Sequence, residues 1–197
     1  MKLFKYNIDL STFFQPSTKL ILDDFGVYLI TGYQGTGKSW LGIYLTNKLK
    51  DRKIVYTNIH SLSMPNKDIR YFTTLSEITS NIEENCIFLI DEISKKYTKE
   101  SRQDKEFYSW LQQSRKRKRV VFLITQEYLQ VPIWLRGIAR YVYTTKKKPF
   151  NIFVTYKGLP VLNENMEWTI EPQDIFVYKR TRKISNMYDT MEPINIL

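Results

Sequence analysis

The sequence predicts an α/β protein with a mostly parallel central sheet and an antiparallel extension at its C-terminal end. Short β-branched and aromatic runs alternate with helical patterns, and the buried runs lack polar alternation, as expected for strands covered on both faces. A glycine-rich segment, Gly32–Ser39, also joins an apolar run to a helical pattern. The 197 residues suit a single domain with a substantial core. We therefore expect one domain over residues 1–197, with its core at about 25–157 and a strand extension at about 158–197.

The strands and helices follow from these patterns in chain order. The predicted strands are Val27–Thr31, Ile54–Thr57, Cys86–Ile90, Val120–Thr125, Tyr141–Thr145, Phe150–Tyr156 and Ile175–Tyr178. Helical spacing of apolar residues predicts helices from the glycine-rich segment to Leu49, over Leu75–Glu83, through Phe107, Trp110 and Leu111, and from Pro132 to Gly137. Turns containing Pro149, Gly158 and Pro160 are expected to join the last three strands as an antiparallel extension.

The segment Gly32–Ser39 reads Gly-x-x-Gly-x-Gly-Lys-Ser between the first predicted strand and a helix. That order is required of a phosphate-binding loop, the Walker A motif, so a chance match is disfavoured. Its glycines let backbone N–H groups converge on phosphate oxygens. Lys38 is predicted to reach the β- and γ-phosphates, and the Ser39 hydroxyl to ligate Mg²⁺. The predicted nucleotide-binding residues are Gly32, Gly35, Thr36, Gly37, Lys38, Ser39 and Trp40.

Two carboxylates, Asp91 and Glu92, directly follow the buried run Cys86–Ile90. The carboxyl end of a central parallel strand is where α/β proteins place their sites, which disfavours a merely solvated pair. Asp91 is expected to hold the Mg²⁺ shell, and Glu92 to orient the attacking water and act as its general base. Because switch GTPases usually position this water with a glutamine, the glutamate indicates an ATPase.

Gln126 and Arg115 are the other predicted catalytic residues. Gln126 ends the strand after the Asp-Glu strand, where it is expected to sense the γ-phosphate, although a loop-capping role is the alternative. Arg115 begins the basic run that ends at Arg119. It is expected to act as an arginine finger on a neighbouring subunit's nucleotide, with Arg117 as the second choice. A solvated basic helix end is the competing interpretation of this run.

The charge of the chain indicates a polyanionic partner. A formal net charge of +10 and a pI of about 9.5 attract nucleic acid and anionic membranes alike. Several separate basic runs, one of them Lys179–Lys183, favour nucleic acid, although each run alone is as compatible with ordinary solvated surface. The candidate DNA-binding residues are Lys116, Arg117, Lys118, Lys146, Lys147 and Lys148.

The sequence also excludes several classes of protein. No apolar stretch approaches the roughly 18 residues that cross a bilayer, and the N-terminus lacks a signal-peptide core. We therefore expect a soluble intracellular protein without membrane insertion. Cys86 is the only cysteine, which excludes an internal disulfide and a cysteine-based zinc site. Its apolar surroundings predict a buried, inert thiol.

Taken together, these motifs resemble the FtsK/HerA superfamily of P-loop motors. The resemblance rests on the phosphate loop, Leu89–Glu92, the Trp110–Leu111 helix with Arg115, and Leu123–Gln126, and it covers about residues 25–157. Within the superfamily the chain is most similar to viral DNA-packaging ATPases and to zonula-occludens-toxin-like assembly ATPases of phages. The resemblance implies a P-loop NTPase fold of the ASCE, RecA-like kind, in which helices cover both faces of the sheet as a three-layer sandwich.

The resemblance further implies a homo-oligomeric ring that uses ATP and Mg²⁺ to translocate double-stranded DNA in the host-cell cytoplasm. A viral portal or capsid vertex is the expected docking partner. Toxin-like assembly ATPases usually carry a membrane-spanning helix, so its absence here favours genome packaging. Packaging motors often have a further C-terminal domain, which leaves two readings, a short motor or the ATPase domain of a longer one.

Four alternatives stay open. One is a phage assembly or extrusion ATPase. A second is an AAA+-like replication ATPase, although residues 141–178 read as strands where that class has a helical lid. A third is a nucleoside or nucleotide kinase, although the thymidine-kinase-like enzymes of this architecture typically have a cysteine-rich zinc segment. The last is a non-catalytic, nucleotide-gated protein that binds DNA or serves as a scaffold.

Overall fold

The computed structural model describes residues 25–191. The predicted domain over 1–197 also includes residues 1–24 and 192–197, which lie outside the described residues. The strands are β1 Gly26–Thr31, β2 Ile54–Thr57, β3 Asp68–Tyr71, β4 Ile87–Ile90, β5 Val120–Ile124, β6 Ala139–Lys148, β7 Ile152–Leu162 and β8 Trp168–Lys179. The α-helices are α1 Lys38–Lys48, α2 Leu75–Thr79, α3 Lys105–Gln112, α4 Ile133–Arg136 and α5 Arg182–Ser185.

The strands form one eight-stranded sheet in the order β3-β2-β4-β5-β1-β6-β7-β8. Pairing is parallel from β3 through β6 and antiparallel between β6, β7 and β8. The central strands β4 and β5 are buried along their whole length, which explains their uninterrupted apolar sequences. The predicted α/β class, with a mostly parallel sheet and antiparallel strands at its C-terminal end, is confirmed.

Helices cover both faces of the sheet. Neighbouring strand residues point to opposite faces, and the neighbours Phe88 and Leu89 show this directly. The ring of Phe88 packs edge-on against Trp110 of α3, with centroids 4.7 Å apart. On the other face, α1 approaches so closely that a Cβ on Gly42 would lie 2.8 Å from Leu89. The result is the three-layer arrangement that the resemblance implied.

Two strands differ from the sequence prediction. The run Tyr141–Thr145 was expected in the antiparallel extension, but β6 pairs in parallel with β1, so the extension consists of β7 and β8. The edge strand β3 was not predicted at all. Its residues Asp68–Tyr71 are mostly exposed and carry no apolar run, so hydrophobic periodicity gives no signal there.

The turns predicted at Gly158 and Pro160 are wrong, because both residues lie inside β7. Pairing with β6 ends at Gly158, so Pro160 pairs only with β8, and a strand with one unpaired edge is where a proline is tolerated. A register shift at Lys157/Gly158 marks the point where the strand leaves the sheet interior.

The predicted helix Leu75–Glu83 is shorter than expected and ends at Thr79. Its start agrees with the capping signal, since the Thr74 N–H donates to Glu77 Oε1 at 2.8 Å. Thr79, Ser80 and Asn81 follow one another, and their side chains compete with the backbone for hydrogen bonds, which ends the helix. The predicted helix from Pro132 to Gly137 is confirmed as α4.

Candidate active site

The Gly32–Ser39 loop connects the carboxyl end of β1 to α1, as predicted. Gly35 and Gly37 have φ of 76° and 92°, a conformation that residues with a side chain rarely adopt. Gly32 has φ of 148°, and a Cβ there would lie 2.6 Å from the Thr145 carbonyl oxygen. The glycine pattern is therefore required by the loop's backbone and by the close approach of β6.

Neighbouring strands fix the loop from both sides. The Gly32 N–H donates to the Gln126 carbonyl at 2.9 Å, which ties the loop to the end of β5. The hydroxyls of Thr36 and Thr145 are hydrogen-bonded at 3.0 Å, and Thr145 also donates to the Thr31 carbonyl at 3.2 Å. The loop is thus held in shape by β5 and β6 before any ligand contributes.

Ser39 and Asp91, predicted to share a metal ion, are brought together. The Ser39 hydroxyl donates to Asp91 Oδ2 at 2.6 Å across the gap between α1 and β4. Asp91 is almost fully buried, and burial raises the pKa of its carboxyl, whereas the hydrogen bond from Ser39 lowers it. A cation beside this carboxylate would offset the cost of burying its charge.

Asn58, which directly follows β2, was missed by the sequence reasoning. Its side chain makes a closed pair of hydrogen bonds with the Asp91 backbone, accepting from the Asp91 N–H at 2.8 Å and donating to the Asp91 carbonyl at 2.9 Å. Asn58 is fully buried. A polar residue at the end of a parallel strand was the signal used for Gln126, and it applied to Asn58 equally.

Glu92 lines a cavity that Lys38, Ser39 and Asp91 also line, and its backbone is in the left-handed conformation, with φ of 53°. Its backbone N–H donates to Asp91 Oδ1 at 2.8 Å. Its carboxylate forms an ion pair with Lys95 at 2.6 Å. An unusual backbone conformation at a cavity rim is typical of functional residues, because such strain persists only where the surroundings impose it.

Lys38 lies with its ammonium group close to both carboxylates. Its Nζ donates to the Tyr33 carbonyl at 3.1 Å. Burial lowers the pKa of Lys38, while Asp91 and Glu92 raise it. The side chain is therefore a partly desolvated cation at the loop, as phosphate binding requires.

Two other predicted residues occupy less direct positions. Gln126 contacts the loop through its backbone, and its side chain is exposed. Trp40 is fully buried between Tyr44 and Tyr178, with ring centroids 5.2 Å apart in each pair. Its indole thus belongs to the core, and a contact between its backbone and a nucleotide stays a prediction, as does the sensor role of Gln126.

Residues 180–190, after β8, form one wall of the cavity at the phosphate loop, which the sequence did not predict. A cavity of about 200 Å³ is lined by the phosphate loop, Asp91 and Glu92, and also by Arg180, Tyr188 and Asp189. The segment is held in place where the Asp189 N–H donates to Ser61 Oγ at 2.8 Å. Only the basic run Lys179–Lys183 gave a signal here, and it was interpreted as a DNA contact.

The basic runs lie at opposite edges of the sheet. Thr31 pairs with Thr144, so Lys146–Lys148 extend beyond the carboxyl edge, beside the phosphate loop. Arg115 lies near Gly26 at the amino edge, far from its own chain's phosphate loop. This position is compatible with a contact to another subunit and excludes one to the same chain's nucleotide.

Two residues of the 115–119 run are part of the fold. Arg119 is fully buried, donates to the carbonyls of Glu83 and Asn81 at 2.7 and 2.6 Å, and lies over Trp110. Arg117 donates to the Ile82 carbonyl at 2.6 Å. Arg115, Lys116 and Lys118 are exposed.

The donor set fits Mg²⁺ in the company of phosphate oxygens. Mg²⁺ is usually held by one or two protein oxygens, with substrate phosphates and water completing its shell, and Ser39 and Asp91 provide that number. In the part of the chain that the structure describes, no group of three or more His, Cys, Asp or Glu residues is placed to hold a metal ion alone.

Cys86 is buried, and burial raises the pKa of its thiol to about 11.

Known proteins resemble this chain in sequence and in fold. The sequence model of the Zonular occludens toxin (Zot) family matches residues 26–191. A search of curated proteins gave no match. None of the helices between Phe25 and Met191 combines the length and apolar character that crossing a bilayer requires.

Several solved structures share the fold. The N-terminal domain of zonular occludens toxin from Neisseria meningitidis is similar with a TM-score of 0.63 and 18% identity, over 84% of this chain and 100% of that one. The genome packaging NTPase B204 from Sulfolobus turreted icosahedral virus 2, in complex with sulfate, has a TM-score of 0.55 and 10% identity, over 76% and 97%. The flagellar accessory protein FlaH from Methanocaldococcus jannaschii has a TM-score of 0.52 and 12% identity, over 78% and 84%.

Proposed function

Because the chain belongs to the Zonular occludens toxin (Zot) family and has the fold of P-loop NTPases, we propose that it is an ATPase that uses ATP and Mg²⁺. The observation that carries the proposal is the 2.6 Å hydrogen bond between Ser39 and Asp91. It joins a Walker A hydroxyl to a buried carboxylate at the end of β4, where phosphate oxygens and a shared metal ion would meet.

Each residue then has a role. Backbone N–H groups of the loop and the Lys38 ammonium bind the phosphates. Ser39 and Asp91 would hold Mg²⁺, which would supply positive charge to offset that of the phosphates. Glu92 accepts a proton from water as the water oxygen bonds to the γ-phosphorus. The bond from that phosphorus to the β–γ bridging oxygen breaks, giving ADP and phosphate. In this mechanism the Glu92–Lys95 ion pair must loosen for Glu92 to reach the water.

Replacing Glu92 tests the proposal. Glu92→Gln removes the base but keeps the shape, so phosphate release should fall at least about 100-fold, while binding of ATP, measured by calorimetry, stays close to wild type. Lys38→Ala should abolish binding itself. Glu100→Gln, at an exposed loop position, is the matched control and should leave both quantities unchanged. Normal turnover in Glu92→Gln would contradict the assignment.

We further propose that hydrolysis drives translocation of double-stranded DNA, most directly for packaging a viral genome. The support is the net charge of +10 and the exposed lysines Lys146–Lys148 beside the phosphate loop. Lys116, Arg117 and Lys118 are further candidates at the opposite edge. Contacts to phosphate rather than to bases suit a motor that must move along any sequence. A portal or capsid vertex is the proposed docking partner, and the cytoplasm of the host cell the proposed location.

The motor is proposed to work as a ring. Arg115 is exposed and cannot reach its own nucleotide, so it suits a finger that stabilises the transition state in the next subunit. Arg117, the second choice, is engaged by the Ile82 carbonyl, which favours Arg115. Arg115→Ala should then reduce turnover only in assembled protein.

A second candidate function is an ATPase of phage assembly or extrusion. The family match over residues 26–191 favours it, since the same family includes zonular occludens toxin. The two functions differ in what stimulates the enzyme. An active ATPase that is indifferent to double-stranded DNA would favour assembly over packaging.

A further inference from the structure

We propose that Arg180 binds the phosphates of a nucleotide held in the same chain, as a second cation of the site beside Lys38. The inference rests on the proposed ATPase function and adds a residue outside the Walker motifs. Arg180 directly follows β8, about 140 residues after the phosphate loop in sequence, yet the antiparallel extension returns it to the loop.

The guanidinium of Arg180 lies against the phosphate loop. Its Nη2 donates to the Gly35 carbonyl at 3.3 Å. A Cβ on Gly37 would lie 2.7 Å from the same nitrogen, so only a glycine admits the arginine this closely. Arg180 also lines the cavity that contains Lys38, Ser39 and Asp91. A charged group is thus placed at the rim of the proposed phosphate site.

The hydrogen-bonding capacity of Arg180 is largely unused. A guanidinium carries five N–H donors and stays charged at any physiological pH. Here Nε is buried and has no hydrogen-bond partner. Among residues 25–191 no carboxylate forms an ion pair with Arg180. A buried donor on an uncompensated charge is costly unless an anion satisfies it, and a polyphosphate beside Lys38 would do so.

The side chain is also held in place independently of any ligand. The Arg180 guanidinium stacks on the ring of Phe153, 4.2 Å from its centroid. Phe153 in turn stacks with Tyr178, with centroids 6.0 Å apart, and pairs with it across β7 and β8. Stacking leaves the edge of the guanidinium plane, where the N–H groups lie, available to phosphate oxygens. The Arg180 guanidinium is therefore preorganised to bind an anion.

Arg180 differs in kind from the proposed finger, Arg115. Arg115 lies at the amino edge of the sheet and would act on a neighbouring subunit. Arg180 contacts the phosphate loop of its own chain, so its contribution should be present in a monomer. The two contributions can be separated by measuring nucleotide binding at protein concentrations that hold the chain monomeric.

Calorimetric titration with two probes tests the inference. The probes are the Mg²⁺ complex of adenylyl imidodiphosphate and inorganic tripolyphosphate, which carries the phosphates without a base. Arg180→Ala should weaken the binding of both by about tenfold or more, since a charge-assisted, bidentate contact is lost. Arg180→Met keeps apolar packing on Phe153 without the charge and should weaken both similarly, which separates the loss of charge from the loss of packing. Arg182→Ala removes an exposed charge from the same turn and should bind like wild type.

Two results would overturn the inference while leaving the ATPase proposal intact. One is wild-type affinity for both probes in Arg180→Ala and Arg180→Met. The other is a loss confined to the adenine nucleotide, which would place Arg180 on the base or ribose. A wild-type protein that binds neither probe, like Lys38→Ala, would instead overturn the proposed function and the inference with it.

Discussion

Asp91 connects the fold to the proposed chemistry through four hydrogen bonds. Its side chain accepts from Ser39 and from the Glu92 N–H, and its backbone is paired with Asn58. These four hydrogen bonds fix the position of Asp91 and the direction of its carboxylate, which is what a metal ligand needs to keep its geometry. Because Asn58 touches only the backbone of Asp91, it is a positioning residue.

Replacing Asn58 tests that role. Asn58→Ala should lower the apparent affinity for Mg²⁺ in the ATPase assay by about 10- to 100-fold, because the ligand loses its support. Loss of two buried hydrogen bonds should also cost about 1–3 kcal/mol of unfolding free energy. The measurement is the rate of phosphate release against Mg²⁺ concentration, together with denaturant unfolding.

Asn163→Ala is the control for this substitution. Asn163 also accepts a backbone hydrogen bond, from the Glu167 N–H at 2.8 Å, but it lies in the β7–β8 turn away from the site. It should leave the Mg²⁺ dependence unchanged. An Asn58→Ala protein that is less stable but has wild-type Mg²⁺ dependence would reduce Asn58 to a structural residue.

Among the secondary-structure elements, the β6–β7 hairpin is the one proposed to contact DNA. Its tip carries Lys146–Lys148 and Phe150, whose side chain is 88% exposed. Phe150 and Asn151 have φ of 59° and 55°, so the turn holds two successive residues in the left-handed region. An exposed aromatic ring in a strained turn shortly after three lysines suits contact with a phosphate backbone.

Two triple substitutions compare how much the basic residues at the carboxyl edge and at the amino edge of the sheet contribute to DNA binding. Changing Lys146, Lys147 and Lys148 to alanine should weaken binding of double-stranded DNA and reduce the slope of log affinity against log salt by about 0.9 for each lost phosphate contact. Changing Arg115, Lys116 and Lys118 removes the same charge from the opposite edge and should have a smaller effect. Binding is measured by fluorescence anisotropy across a salt series. An equal or larger loss in the second variant would place DNA on the amino edge instead.

The sequence predicted those elements and motifs that are specified by residues close together in the chain. The glycine spacing at Gly32–Ser39 and the apolar run before Asp91 specify backbone geometry and burial within a few residues, so the Walker motifs were predictable. Edge strand β3 was not, because exposed residues have no hydrophobic period. The direction of β6 depends on which neighbour it pairs with, and a short strand sequence does not carry that information.

Arg180 shows a further limit of local patterns. It reaches the phosphate loop only because β7 and β8 fold back on β6, and nothing in the run Lys179–Lys183 distinguishes one arginine from the others. Its role depends on tertiary contacts with Phe153 and Gly37. Asn58, in contrast, stood at a predicted strand end and was accessible to the same reasoning that selected Gln126.

On the scale of the whole molecule, the candidate nucleotide site and the candidate arginine finger lie at opposite edges of the sheet. The carboxyl edge carries the phosphate loop, Asp91, Arg180 and the lysine hairpin, whereas the amino edge carries Arg115. A subunit built this way offers its nucleotide on one edge and a candidate finger on the other, which is the arrangement that a head-to-tail ring requires. We therefore propose that ATP is hydrolysed between subunits and that DNA stimulates the reaction.

The most direct test measures phosphate release per subunit against protein concentration, with and without double-stranded DNA. We expect the rate per subunit to rise with concentration as rings assemble, and DNA to raise it further. Arg115→Ala should abolish the concentration-dependent part while leaving nucleotide binding intact. A rate per subunit that stays constant over concentration and does not respond to DNA would contradict hydrolysis between subunits of a DNA-driven ring.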